Sequence, residues 1–300
     1  MKNYLMRPHS GVTRVITSVF IVFSLWACNA PGNTDAGGQS VAVDTATAAA
    51  THQDSLKQLL AADTLPPSNK KRVYLTFDDG PNLGTRNLLT ILHDENVPAT
   101  MFLIGLHTGA SPEQKLMWSK LQTFPGIELC NHSFSHAWRN KFTPFYQHAD
   151  SVIADFNHAE TLMALKAPIA RTPGRNAWRI DSVTRTDLLK NKKVIDTLQS
   201  KGGYVLIGWD LEWAFNHRNN QAVQTADQLY AEVNHLFAEN KTLTPNNLVI
   251  LAHDQMWRTA DDSLRLVDFI RKLKANPDYE LALISNYPGV RRALLNGKQM

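Results

Sequence analysis

The chain has 300 residues, of which 43% are hydrophobic and 19% are charged. That length and composition can bury a large apolar core, so a wholly disordered chain is excluded. The formal net charge of +4 falls to +1 when Lys2, Arg7 and Arg14, which lie in a segment that we expect to be removed, are left out, so no nucleic-acid partner is predicted.

The N-terminal segment has the pattern of an export signal. A basic start is followed by an apolar run over 15–26 and then by Ala27 and Cys28. The run is short for a transmembrane helix, and a small residue before a cysteine is typical of a bacterial lipobox, in which the cysteine is acylated. We therefore predict a lipoprotein signal peptide over 1–27. The exported protein would be attached to a bacterial cell membrane through lipidated Cys28, on its periplasmic or cell-surface side, with an ordinary signal peptide or an uncleaved anchor as the alternatives.

Residues 28–70 are rich in small and polar residues and show no sustained period, which predicts a flexible tether. From Arg72 onward, short β-branched or apolar runs alternate with longer amphipathic stretches, the pattern of repeated βα units. The predicted strands are 73–77, 99–104, 127–129, 169–171, 204–208, 248–252 and 281–284. The predicted helices are 85–95, 112–122, 145–165, 181–201, 221–240, 260–275 and 290–295. This alternation predicts one α/β domain over 71–300, a closed or nearly closed parallel barrel.

Polar clusters follow five of the predicted strands directly. They are TFDDGP at 76–81, NHSFSH at 131–136, RTPGR at 171–175, WDLEW at 209–213 and LAHD at 251–254. Because the carboxyl ends of the strands converge on one face of a βα barrel, we expect these clusters to meet there. Asp78 and Asp79 also suit an ordinary turn. Since neighbouring side chains of a strand point in different directions, one carboxylate could instead bind a cation while the other faces water.

His132 and His136 are spaced i, i+4, so a helical turn after Ser133 would place both imidazoles on the same face. Such a pair is common on protein surfaces and is weak evidence on its own. Together with Asp79 it makes a set of two imidazoles and one carboxylate. That set suits Zn²⁺ with open positions for water and substrate, with Co²⁺, Fe or Mn as alternatives.

In this order, TFDDGP, HSxxH, an RxP segment, a Trp/acid segment and LxH resemble the five motifs of the NodB-type polysaccharide deacetylases, carbohydrate esterase family 4. The resemblance covers about 72–290 and implies a distorted (β/α)₇ barrel. It implies that Asp78 is the general base, that His253 is the general acid and that Arg171 orients and charge-balances Asp78. It also implies three ligands for a divalent metal: Asp79, His132 and His136.

The implied reaction removes acetyl groups from the N-acetylated sugars of a polysaccharide or oligosaccharide, such as peptidoglycan, chitin or poly-N-acetylglucosamine. A base and an acid together favour amide cleavage, because an amine leaves only when it is protonated. Hydrolysis of O-acetyl esters, as by an acetylxylan esterase, is the first alternative. The second is a non-catalytic carbohydrate-binding lipoprotein, which would be expected to lack at least one of the motif residues, and none is missing.

The fourth motif offers two carboxylates that could orient the imidazole of His253, Asp210 and Glu212, of which we favour Asp210. Trp209 and Trp213 in the same motif suit either the lining of an acetyl pocket or core packing.

Two positions depart from the family pattern. Gly174 stands where the family commonly has Tyr, so an aromatic contribution to the substrate groove is missing, and Trp178 or Arg175 could compensate for it. Cys130 stands where a Gly usually precedes the Asn-His pair. We predict that Cys130 is a buried strand-end residue and neither a nucleophile nor a ligand.

Overall fold

The computed structural model describes residues 69–181 and 183–296. The predicted signal peptide, Cys28 with its predicted acylation, and the predicted tether therefore lie outside the described residues, apart from 69–70. Within the described ranges, none of the helices combines the length and the apolar character that crossing a membrane requires.

A curled, mixed sheet runs through the described part of the chain. Its strands are β1 (Lys71–Gly80), β2 (Ala99–Leu103), β3 (Ile127–Asn131), β4 (Ile169–Ala170), β5 (Ala177–Ile180), β6 (Val183–Thr186), β7 (Val205–Leu206), β8 (Leu211–Glu212), β9 (Asn247–His253) and β10 (Tyr279–Leu281). The order across the sheet is β6-β5-β7-β4-β3-β2-β1-β9-β8, and β10 pairs with the start of β1. The pairs are parallel except that β5 is antiparallel to β6 and β7. The predicted distorted barrel is confirmed, and it is open between β6 and β8.

Helices connect the parallel strands. They are α1 (Thr85–Asp94), α2 (Pro112–Leu121), α3 (Ala149–Met163), α4 (Lys192–Ser200), α5 (Ala226–Ala238), α6 (Ala260–Ala275) and α7 (Val290–Asn296). Their first residues follow from local sequence: the Ser111 hydroxyl accepts from the backbone N–H of Gln114 at the start of α2. Thr225 and Gln228 form a capping box at the start of α5.

The predicted helix over 181–201 is wrong in its first half. There the chain forms the hairpin of β5 and β6, turning at Asp181, whose φ is 47°, and only α4 is helical. The β-branched run of β6 favours a strand. The buried guanidinium of Arg179 donates to Asp196 Oδ1 at 2.6 Å, so an ion pair fastens the hairpin to α4.

Strand β1 lies inside the sheet, between β2 and β9, and its residues 73–78 are buried. A strand that is covered on both faces typically has a continuous apolar sequence, as residues 73–75 have. The registers place Asp78 beside Phe102 at the end of β2 and beside His253 at the end of β9. The carboxyl ends of these strands therefore bring the polar clusters of the sequence to one edge of the sheet.

Candidate active site

A cavity of about 1380 Å³ opens at the carboxyl ends of the central strands. The catalytic and metal-ligand candidates that line it are Asp78, Asp79, His132, His136 and His253. Side chains that arise up to 175 positions apart in the chain thus meet in one place, because Asp78 and His253 are partners in the β1–β9 register.

Asp79 and two histidines form a cluster that fits a metal ion. Asp79 Oδ1 lies 3.6 Å from His132 Nε2 and 3.3 Å from His136 Nε2. One ligand atom from each residue lies within 4.8 Å of the other two. Asp79 Oδ1 is buried and has no hydrogen-bond partner among the described residues. Since a buried carboxylate oxygen is costly without a donor or a cation, the donor set suits a divalent metal.

Two further side chains hold Asp79 in place. Asp79 lies at a register shift between β1 and β2, and its φ is 71°. Its Oδ2 accepts from Gln255 Nε2 at 3.1 Å, and its backbone carbonyl accepts from His107 Nδ1 at 2.8 Å. These contacts leave Oδ1 free to face the two imidazoles. Neither residue was predicted from the sequence, although Gln255 directly follows the LAHD cluster.

The Nδ1 atoms of both histidines are occupied. His132 Nδ1 donates to the Arg171 carbonyl at 2.9 Å, and His136 Nδ1 donates to Asn140 Oδ1. This hydrogen bonding selects the tautomer in which Nε2 carries the lone pair that a metal needs. Burial also holds the pKa of His132 well below its usual range, which keeps the imidazole neutral.

The helical turn predicted after Ser133 is wrong. Ser133 has a φ of 67°, and the residues of His136–Asn140 have φ between 51° and 68°, so this turn is left-handed. His136 still faces Asp79, as the i, i+4 spacing suggested, but it does so from a backbone of the opposite hand.

Asp78 is paired with a buried cation. Arg171 Nη1 donates to Asp78 Oδ1 at 2.8 Å, and the other oxygen, Oδ2, lies 3.6 Å from His132 Nε2. Burial raises the pKa of Asp78, and the guanidinium of Arg171 acts against that rise. Arg171 is itself fixed by bonds to three further acceptors: Thr76 Oγ1, the Ile207 carbonyl and the Gly208 carbonyl. Arg171 therefore lies where a residue that orients and charge-balances Asp78 would lie.

His253 lies beside these carboxylates, but Asp210 does not orient it. Both Asp210 oxygens accept backbone N–H groups, from Leu243 at 2.7 Å and from Val249 at 2.8 Å. Val249 is near the start of β9, roughly 13 Å along the strand from His253. The prediction for Asp210 is therefore corrected: its carboxylate secures the start of β9.

No carboxylate within the described ranges takes the place of Asp210. His253 Nδ1 is buried without a hydrogen-bond partner there, and Glu212 lines the cavity without bonding to that ring. The imidazole instead packs on the ring of Phe215, with 4.8 Å between the ring centroids. Burial lowers the pKa of His253, while the carboxylates of Asp79 and Asp78 raise it.

The aromatic residues of the motifs divide between core and cavity. Trp213 is buried against Trp257 and Phe269, so it is a core residue, whereas Trp209 lines the cavity.

Cys130 is buried in β3, and burial raises the pKa of its thiol, as expected of an inert cysteine.

Phe142 occupies the space that a side chain at position 174 would need. A Cβ on Gly174 would lie 2.8 Å from Phe142 Cε1, and the φ of Gly174 is +62°. Trp178 is buried in the core and does not line the cavity. The aromatic wall beside Gly174 is thus supplied by the ring of Phe142.

Part of the chain is similar in sequence to known proteins. Residues 66–174 match the sequence profile of the family described as polysaccharide deacetylase. The chain is 35% identical over 88 residues to a chitooligosaccharide deacetylase of Bradyrhizobium sp., covering 29% of this chain and 38% of that protein. It is 26% identical over 151 residues to a peptidoglycan-N-acetylglucosamine deacetylase of Bacillus cereus, covering 49% of each. The chain thus spans about half the length, or less, of these curated relatives.

The fold is also similar to that of a solved structure. The catalytic domain of a peptidoglycan N-acetylglucosamine deacetylase from Eubacterium rectale matches with a TM-score of 0.54 and 22% identity, covering 76% of this chain and 95% of that one. The matched range, 66–174, contains Arg171 and four other candidate site residues, Asp78, Asp79, His132 and His136. Over residues 66–174 the chain is therefore similar in sequence to the polysaccharide deacetylase family, and its fold is similar to that of a solved deacetylase catalytic domain.

Proposed function

We propose that this protein is a metal-dependent deacetylase that hydrolyses N-acetyl groups on the sugars of a polysaccharide or oligosaccharide. The observation that carries the proposal is the buried, unpartnered Asp79 Oδ1 facing two imidazole Nε2 atoms. Beside it lie a carboxylate that is paired with a buried cation, Asp78, and a third imidazole, that of His253. The names of the curated relatives, chitooligosaccharide deacetylase and peptidoglycan-N-acetylglucosamine deacetylase, support the same substrate class.

Each side chain has a separate part in the reaction. Asp79, His132 and His136 would hold the metal, Zn²⁺ or alternatively Co²⁺, which when bound polarises a carbonyl and lowers the pKa of water. Asp78 takes the proton of the attacking water, and Arg171 orients that carboxylate and favours its ionised form. His253 gives a proton to the departing amine nitrogen, so one proton is taken and one is given in each turnover.

The size of the cavity supports a substrate larger than one sugar. Its volume of about 1380 Å³ exceeds the roughly 300–1,000 Å³ of typical small-molecule sites. Trp209, Phe142 and Phe215 lie in its lining, and aromatic rings offer flat apolar faces to sugar rings. Peptidoglycan, chitin and poly-N-acetylglucosamine all meet this description.

The metal ligands give the first test of the proposal. His132→Ala should lose most of its bound Zn²⁺, because one of three protein ligands is removed, and should release little acetate from N-acetylated oligosaccharides. Elemental analysis and an acetate-release assay with and without a chelator make the measurement. His93→Ala is the matched control, since His93 is exposed and outside the cavity. Full metal occupancy in His132→Ala would place the metal elsewhere, and undiminished acetate release after chelation would exclude metal dependence.

The assignment of His253 distinguishes amide from ester hydrolysis. His253→Ala should lower kcat/KM for an N-acetyl sugar far more than for an activated acetyl ester, because an activated alkoxide departs without a proton. Measuring kcat/KM of the variant and the parent protein on both substrates gives the comparison. Equal losses on both would contradict the acid role. A parent protein that cleaves only O-acetyl sugars would favour the esterase alternative.

Export and attachment to a bacterial membrane through lipidated Cys28 complete the proposal. The basic start, the short apolar run and the small residue before Cys28 support it. Such a location would bring the domain to cell-wall or secreted polymers.

A further inference from the structure

The second histidine of the metal cluster lies on an unusual backbone. Residues His136–Asn140 have consecutive positive φ values, between 51° and 68°. Residues other than glycine avoid this region, with Asn and Asp as the partial exceptions, and rarely occupy it in succession. A turn of this kind persists only where surrounding contacts hold it.

Several contacts hold the left-handed turn. The backbone N–H of Arg139 donates to the Ser135 carbonyl at 2.8 Å, and that of Lys141 donates to the Ala137 carbonyl at 2.8 Å. The Trp138 N–H donates to Ser135 Oγ at 2.8 Å. These bonds fix the backbone, but they leave the imidazole of His136 free to rotate about its own side-chain bonds.

The side chain of Asn140 supplies the missing restraint. Its Oδ1 accepts from His136 Nδ1 across the turn. Asn140 is the last residue of the left-handed run, with a φ of 68°. The ring of Phe142 packs edge-on against the same imidazole, with 5.7 Å between the centroids. Together they direct His136 Nε2 towards Asp79 Oδ1.

His136 depends on such a restraint more than the other two ligands do. Its side chain is 19% exposed, compared with 14% for Asp79 and 2% for His132. His132 is held by burial and by a backbone carbonyl, which no side-chain substitution removes. The tautomer of His136, by contrast, depends on the side chain of Asn140, which is exposed.

We propose that Asn140 is a positioning residue for the metal site: its amide oxygen holds His136 in the tautomer and orientation that present Nε2, and it thereby sets the affinity for the metal. The proposal rests on the proposed metal-dependent function. It assigns Asn140 no contact with substrate.

Three substitutions separate the acceptor from the backbone. Asn140→Gly tolerates the left-handed φ but lacks the acceptor, so its affinity for Zn²⁺ should fall by about 10–100-fold, the usual effect of losing a partner of a ligating His. Asn140→Asp keeps both the acceptor and the tolerance of this φ, so it should bind Zn²⁺ as tightly as the parent protein or more tightly. Asn140→Ala loses both features. Zn²⁺ dissociation constants are measured by competition with a chromophoric chelator, and thermal melts check that each variant folds.

Asn240→Ala is the matched control, because Asn240 also has a positive φ, 50°, but lies outside the cavity. It should leave the affinity for Zn²⁺ unchanged. An Asn140→Gly variant that binds Zn²⁺ like the parent protein would overturn the proposal, as would an Asn140→Asp variant that loses as much affinity as Asn140→Gly. A parent protein that binds no Zn²⁺ or Co²⁺ would instead refute the proposed metal site itself.

Discussion

Asp78→Asn is expected to lower kcat/KM for acetate release by about 10²–10⁴-fold, the usual contribution of a proton-transfer group, while the protein keeps its metal. The amide matches the carboxylate in size and can still accept the 2.8 Å bond from Arg171, but it cannot take a proton from water. Metal content should remain because the ligand cluster comprises Asp79, His132 and His136. Steady-state kinetics and elemental analysis of the same preparation make the measurement.

Asp261→Asn is the control for this substitution, since Asp261 is exposed in the first turn of α6. Unchanged kcat/KM in Asp78→Asn would assign the base to another group. Loss of the metal together with activity would instead make Asp78 a ligand.

Arg171→Met is expected to lower the free energy of unfolding by about 3–5 kcal/mol, the cost of leaving a buried charge without its partner. The guanidinium is fully buried, and the side chain of Asp78 is only 4% exposed. In the double variant Arg171→Met/Asp78→Asn, the unpaired carboxylate of Asp78 is also gone. The decrease in the free energy of unfolding should therefore be smaller than the sum of the decreases in the two single variants. The coupling is expected to be about 0.5–3 kcal/mol and is measured by urea denaturation of the four proteins in the cycle. Additive losses would mean that the pair contributes no electrostatic stabilisation.

The pH dependence of the same variant follows from Asp78. Burial raises the pKa of this carboxyl, and removal of Arg171 takes away the cation that opposes the rise. A folded state whose carboxyl has a raised pKa binds more protons than the unfolded chain, so its stability falls as the pH rises from the ordinary aspartate range to the raised pKa. The stability deficit of Arg171→Met should therefore be greater at pH 8 than at pH 5.

The features that the sequence predicted correctly depend on short-range patterns. Apolar runs located the central strands to within a few residues, because strands buried on both faces have no other composition. Asp78, Asp79, His132, His136 and His253 meet because the carboxyl ends of parallel strands share one edge. This geometric rule needs no knowledge of individual contacts.

The features that the sequence did not predict depend on tertiary contacts. Asp210 bonds to the backbone of Leu243 and Val249, which lie 33 and 39 residues further along the chain, and no local pattern reveals such partners. L-residues ordinarily prefer right-handed helical backbone, so the i, i+4 spacing of His132 and His136 predicted a right-handed turn where the chain forms a left-handed one. Gln255 and Asn140 hydrogen-bond to Asp79 and His136, and neither belongs to one of the five motifs. Such partners become visible only when the distances are known.

The order of strands in the sheet also determines the order in which the parts of the site can form during folding. β1, β2 and β3 are neighbours both in the chain and in the sheet, so the three candidate metal ligands lie within residues 79–136. His253 reaches Asp78 only through the β1–β9 pairing, and the neighbouring contact of Asp79 with Gln255 spans 176 residues. Because the chain between Asp78 and His253 is a long loop, the pairing of β1 with β9 is expected to form late and slowly in folding. In a chain that is exported N-terminus first, Asp79, His132 and His136 would emerge before His253, and a cation bound to these three residues at that stage would stabilise a partly folded domain.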